Sequence, residues 1–373
     1  MEQKLKTFAF LLIILAGFWY WQAQNKHALP PPEVLGTEIE QIKASQNIDE
    51  QVKYYKKLIE RVGPAEAQEE LFHSGLPFTG ETHLLNHTVG DWLYEQYGAR
   101  GLPYCKEYFL ASCYHGFVLR AIAVGGNAEI KNVMQKCEEG GTPIIIQCSH
   151  AIGHGFLTAA GYKNLLAGLK RCDEAAQEIP SLKLYNCHDG VFMENIFGVH
   201  DGEPSPDRWV KADDLIYPCD DPRIGEQYLN ACWSNQPALL YQKTNGDLKK
   251  AGEICLAISN EGQRQTCLNG LARQIHPLTK GKADTTFHLC SFLPSFWMNY
   301  CIVTNAAAAF SVGDRDLPFR LCAQIESQGK AGCYNELFGS MKVYAKNPRE
   351  YQEFCDSILE PDWQKTCSAL QNL

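Results

Sequence analysis

Cys148-Ser149-His150-Ala151-Ile152-Gly153-His154-Gly155 joins a cysteine that falls on a regular repeat to two histidines four residues apart. Thr142-Pro143 lies just upstream and Gly161 downstream. Thr caps helix N-termini, Pro is tolerated at the first helical position, and Gly is common just past the last. The spacing therefore predicts one helix over roughly Pro143 to Ala160, with Thr142 as its cap. Residues i and i+4 share a helix face, so His150 and His154 project side by side, and two imidazoles so placed can share a metal ion. A helical metalloprotease motif needs Glu directly after the first His, as general base. Ala151 stands there, which argues against a protease.

Outward from this stretch the cysteines set the organisation. The 373 residues carry sixteen of them, in eight successive couples: Cys105/Cys113, Cys137/Cys148, Cys172/Cys187, Cys219/Cys232, Cys255/Cys267, Cys290/Cys301, Cys322/Cys333 and Cys355/Cys367. The gaps between successive second cysteines are 35, 39, 45, 35, 34, 32 and 34. A period near 34 is that of two-helix repeats stacked into a solenoid, where one pair cannot bury its apolar face alone but stacked neighbours can. Most couples span a turn, such as Glu138-Glu139-Gly140-Gly141, so a bridge within each couple would tie the two helices of a hairpin. The expected fold is thus all-α, an α-solenoid of about eight two-helix repeats, each with an intra-repeat disulfide. Cys105 and Cys113 resist the scheme. On one helix they would stand about 12 Å apart, too far for a bridge. Either the helix starts after Cys105, or these two have other partners.

An even count in regular couples points to an oxidising compartment. No C-x-x-C occurs, which removes support for zinc ribbons, thioredoxin-type redox sites and C-x-x-C-H haem attachment. With 43 acidic and 34 basic residues the net charge is -9, unfavourable for nucleic acid as a partner.

At the N-terminus, Lys4 and Lys6 precede an apolar run from Phe8 to Trp21 that ends in an aromatic cluster, and no A-x-A cleavage site follows. This reads as an uncleaved signal anchor rather than a cleaved signal, with the bulk of the chain on the extracytoplasmic side. Pro30-Pro31-Pro32 makes a stiff spacer. The expected domains are an anchor over 1–24, a Pro-containing linker over 25–47, His-rich helical repeats over 48–200 and Cys-paired repeats over 201–373. Ile48, Val52, Tyr55, Leu58 and Ile59 fit a helix stopped by Gly63-Pro64, followed by a short helix from Ala65 to His73. The longest gap holds an inserted loop, Gly198 to Asp214.

Histidines concentrate before that loop. His83 and His87 repeat the four-residue spacing of His150 and His154, and Thr82-His83-x-x-x-His87 aligns with Ser149-His150-x-x-x-His154. The position two after each second cysteine reads His115, His150, Asp189, Ser234, Asn269, Val303, Asn335 and Ala369. One reading makes it a structural slot that satisfies backbone groups beside each disulfide. The other makes His83, His87, His115, His150, His154 and His188 ligands of a transition metal, zinc, copper or iron. Asp91 or Glu194 would support that shell. Glu194, six residues from His188, lies off its face and reads as a solvated carboxylate. Gly116, Gly153, Gly155 and Gly190 read as close helix packing rather than a phosphate loop, so no nucleotide is expected.

By period and cysteine placement, from about Gly98 to the end, the chain resembles disulfide-stapled relatives of tetratricopeptide-type helical repeat proteins. That resemblance implies an α-solenoid with a concave binding surface, and no particular activity. Two functions follow. One is a membrane-anchored extracytoplasmic protein with a histidine metal site in its N-terminal half, its reaction unspecified. The other is a non-catalytic scaffold that binds a protein or peptide partner without metal. A Ser-His-Asp hydrolase is disfavoured, since no G-x-S-x-G elbow occurs.

Overall fold

The computed structural model describes residues 38–76, 80–198, 205–211, 213–276, 282–311, 314, 316–345 and 347–370. The anchor segment, the triple proline and His200 lie outside these residues. Among the described residues there are helices and no strand.

The chain opens with α1 (Glu38–Ala44), α2 (Ile48–Val62) and α3 (Pro64–Phe72). Asn47 caps α2 by accepting from the backbone N–H groups of Asp49 and Glu50, and Tyr55, Leu58 and Ile59 form its buried face. Gly63, at φ 85°, ends α2, and Pro64 opens α3. Then come α4 (Gly80–Tyr97), a 3-10 turn (Gly98–Tyr104), α5 (Tyr108–Glu139), α6 (Thr142–Ala160), α7 (Leu165–Glu178) and α8 (Leu184–Phe197). Past the inserted loop lie α9 (Glu226–Lys243), α10 (Leu248–Leu256), α11 (Glu261–Arg273), α12 (Ala283–Cys290) and α13 (Ser295–Ser311). The last four are α14 (Leu317–Gln324), α15 (Ser327–Tyr344), α16 (Pro348–Asp356) and α17 (Pro361–Leu370). The helix around His150 falls where expected, but its cap is Gly141 at φ 80°, with no side-chain cap bond. Gly141 takes a positive-φ backbone open to glycine, and Thr142 is already the first helical residue.

The long helices pack in sequence: α4 on α5, α5 on α6, α6 on α8, α8 on α9, α9 on α11, α11 on α13 and α13 on α15. The shorter α7, α10 and α14 lie against their longer neighbours, and α13 also reaches α5, so the row curves back on itself. One connected core runs from Ile39 to Cys367.

All eight bridges form within the couples, with Cα–Cα distances of 5.5 to 6.4 Å. Cys105 and Cys113 are among them, 5.5 Å apart. Cys105 sits before α5, at the end of the 3-10 turn, so the first of the two alternatives holds. The short connection is closed by unusual backbone. Phe109, Leu110 and Ala111 are left-handed, at φ 51°, 58° and 57°. An L-residue in that region costs about 1–2 kcal/mol. Leu110 is 49% exposed, so its side chain contributes little packing. Leu110→Gly is therefore expected to raise stability by about 0.5–1 kcal/mol, after the greater freedom glycine gives the unfolded chain. Urea unfolding of the oxidised protein checks this, and a destabilised variant would contradict the left-handed assignment.

The first part of α5, Tyr108–Gly126, is long and apolar enough to cross a membrane, but 61% of the window is buried inside the protein. It is packed between α4 and α6, as a core helix would be.

A candidate histidine metal centre

Three helices supply the centre. His83 and His87 come from α4, His115 from α5, and His150 and His154 from α6. One nitrogen each from His83, His87 and His115 lies within 4.8 Å of the others, and the same is true of His115, His150 and His154. His115 belongs to both groups. Its ring centroid is 5.2 Å from that of His150, 5.2 Å from His154 and 5.1 Å from His83.

Glycines let the helices approach this closely. A Cβ on Gly116 would stand 2.1 Å from the His87 carbonyl oxygen, and one on Gly90 2.1 Å from that of Cys113. The α6–α8 pair repeats the device with Gly190 over the His150 carbonyl and Gly153 over that of Cys187. These contacts make His87 the counterpart of His150, with Leu85 standing where the later helices have cysteine. The sequence alignment of His83 with His150 is one helical turn out of register, because the closest backbone approach, and not the histidine spacing, sets which turns oppose each other. His83 thus lies one turn before the equivalent position, and His154 one turn after it.

The outward nitrogens are held by one backbone carbonyl and two carboxyl groups. His83 Nδ1 donates to the Phe109 carbonyl at 2.9 Å, from the left-handed segment. His150 Nδ1 lies 3.1 Å from Asp189 Oδ2, and His154 Nδ1 2.8 Å from Glu194 Oε2. Burial pushes the Asp189 carboxyl up, but the His150 hydrogen bond and charge, with Arg273 and Ser234, hold it below its usual value. It is ionised at neutral pH and accepts from His150. The carbonyl on His83 and the ionised Asp189 on His150 favour the proton of each imidazole on Nδ1, and Glu194 faces the same atom of His154. His83 Nε2 then accepts from His115 Nδ1 at 3.2 Å. These Nδ1 partners leave Nε2 as the atom that His115, His150 and His154 can offer to an ion.

Two of these nitrogens lie close enough for a shared proton or a metal ion to join them. His150 Nε2 and His154 Nε2 face each other at 3.0 Å. His115 Nε2 is buried with no hydrogen-bond partner among the described residues. Burial, reinforced by the neighbouring imidazoles, holds His115 well below the usual histidine range, so it is neutral and in its ligating form. His87, His115, His150 and His154 are all buried.

The sequence missed much of the support. Glu194 is 1% exposed and not a solvated carboxylate. Besides His154 it accepts from the Tyr162 hydroxyl at 2.5 Å. The described stretch 205–211 of the inserted loop is tied to this end, with Asn195 exchanging two hydrogen bonds with the Trp209 backbone. The slot reading is also corrected: His115, His150 and Asp189 bond one another's side chains and neighbouring side chains, not the backbone at the disulfides. His188 stands outside both groups. As the residue next to Cys187 it turns away from the slot face, lying 2.8 Å from Asp173 and edge-on to Tyr228. Burial lowers its pKa, opposed by Asp173.

The described residues establish a disulfide-rich all-helical protein with buried histidine groups able to hold a metal ion. Eight disulfides, with no free cysteine among these residues, fit an oxidising environment. Compared with family models, curated proteins and solved structures, the chain shows no match.

Proposed function

We propose that this chain is a membrane-anchored, extracytoplasmic helical repeat protein whose function is to hold a transition metal ion at His115, His150 and His154. The observation that carries it is the buried triad of His115, His150 and His154, each offering one nitrogen within 4.8 Å of the others, with Asp189 and Glu194 holding Nδ1 of His150 and His154. Carboxylate–histidine pairs of the His150–Asp189 and His154–Glu194 kind orient imidazole ligands and raise their basicity. Three imidazoles suit zinc, copper or iron and leave a coordination position for water or a substrate. The repeated disulfide hairpins and sequential packing support a tightly curved solenoid of the tetratricopeptide-like kind. The apolar segment behind Lys4 and Lys6 supports anchoring, and the disulfides support placement outside the cytoplasm.

Elemental mass spectrometry of the full-length oxidised protein in detergent tests the ion. Near-stoichiometric metal is expected in the wild type, and its loss in His150→Ala/His154→Ala. Glu194→Gln keeps all three ligands and is expected to weaken binding by roughly 10–100-fold. Wild type without metal after reconstitution with zinc, copper and iron would overturn the reading and leave a protein- or peptide-binding scaffold.

A further inference from the structure

We infer that the cluster takes a second ion at His83, His87 and His115, with the His115 ring bridging it to the first. This rests on the first ion occupying His115, His150 and His154. The geometry supplies a second triad around the same ring, within 4.8 Å. His83 and His87 are neighbours, with centroids 4.8 Å apart, and His87 lies 5.6 Å from His115. His83 is already locked by the Phe109 carbonyl with Nε2 aimed at His115 Nδ1. The proton shared between His115 Nδ1 and His83 Nε2 is one that a second ion would have to displace.

The chemistry follows from the first site. An ion on His115 Nε2 withdraws electron density from the ring and acidifies the Nδ1–H. A second divalent ion then replaces that proton. The N–H bond breaks, an Nδ1–metal bond forms with the same electron pair, and the proton leaves to solvent. The ring becomes an imidazolate shared by both ions, with no oxidation or reduction. The sites should fill in order, the second more weakly and more steeply dependent on pH.

Copper(II) is the probe, titrated into the full-length oxidised chain in detergent and followed by electron paramagnetic resonance and proton release. The first equivalent should give a mononuclear signal. The second should diminish that signal through spin coupling across the bridge, instead of doubling it, and release the additional His115 proton. His83→Gln/His87→Gln should bind one equivalent and keep its signal undiminished. Uptake of one equivalent only, two uncoupled signals, or two ions still bound by the double variant would each overturn the bridge while leaving the first site intact. No copper binding at all would remove both the bridge and the site it rests on.

Discussion

Gly190→Ala is expected to destabilise the oxidised protein by about 4 kcal/mol, at the upper end for overpacking. The added Cβ would stand 1.9 Å from the His150 carbonyl oxygen and 2.9 Å from its carbon. Both are backbone atoms, so no rotamer change relieves the overlap and α8 must move away from α6. The opposite face offers no slack: a Cβ on Gly153 would already be 2.0 Å from the Cys187 oxygen and 2.8 Å from the Val191 nitrogen. Separation would also draw Asp189 and Glu194, both on α8, away from His150 and His154, so metal affinity should fall together with stability. Thermal unfolding should show a midpoint lowered by roughly 10 °C. Gly332→Ala and Gly339→Ala are the controls. Both positions are exposed and helical, and an added Cβ meets nothing within 4 Å. They should gain up to about 1 kcal/mol from alanine's better helix propensity. Equal effects at positions 190 and 332 would contradict the packing of α6 on α8.

The glycine contacts also show what could be read in advance. Gly116, Gly153, Gly155 and Gly190 are legible as packing residues because they recur beside cysteines that mark where neighbouring helices meet. The disulfide couples are legible for a covalent reason: a bridge across a hairpin needs a narrow range of spacing, and the chain repeats it. The histidine pairs are legible through the i,i+4 rule on one helix. Their convergence with His115 is not, since it depends on how far α4, α5 and α6 slide along one another. The solvated place that the sequence suggests for Glu194 depends on taking His188 as the reference point. Six residues separate it from His188, but His188 itself faces away from the centre, while Glu194 lies seven residues, two turns, after the inward-facing Cys187. The Phe109 carbonyl leaves no side-chain signal at all. Its one trace in the sequence is the couple Cys105/Cys113, too short for a helix and too long for a tight turn, which forces irregular backbone at the place where His83 is oriented.

Reduction of the disulfides is expected to unfold the protein at room temperature. Each bridge closes a loop of 8 to 15 residues. In the chain-entropy model such a loop contributes about 2–3 kcal/mol. Eight of them amount to on the order of 20 kcal/mol, more than the roughly 5–15 kcal/mol net stability of an ordinary protein. The short helices cannot replace that contribution, because α10, α12, α14 and α16 have only 9, 8, 8 and 9 residues and each is pinned near its C-terminal end by a cysteine. Reduction and alkylation should therefore abolish near-ultraviolet circular dichroism and most helical signal. The segment α2 to α4, where Leu85 occupies the cysteine position, should be the last to lose protection in hydrogen exchange. The ion should be released as well, although no thiol ligates it, because His115 and His150 each sit two residues beyond a bridged cysteine. A reduced, alkylated chain with native dichroism and bound metal would show that packing alone aligns the histidines, and the bridges would then be secondary to the site instead of its support.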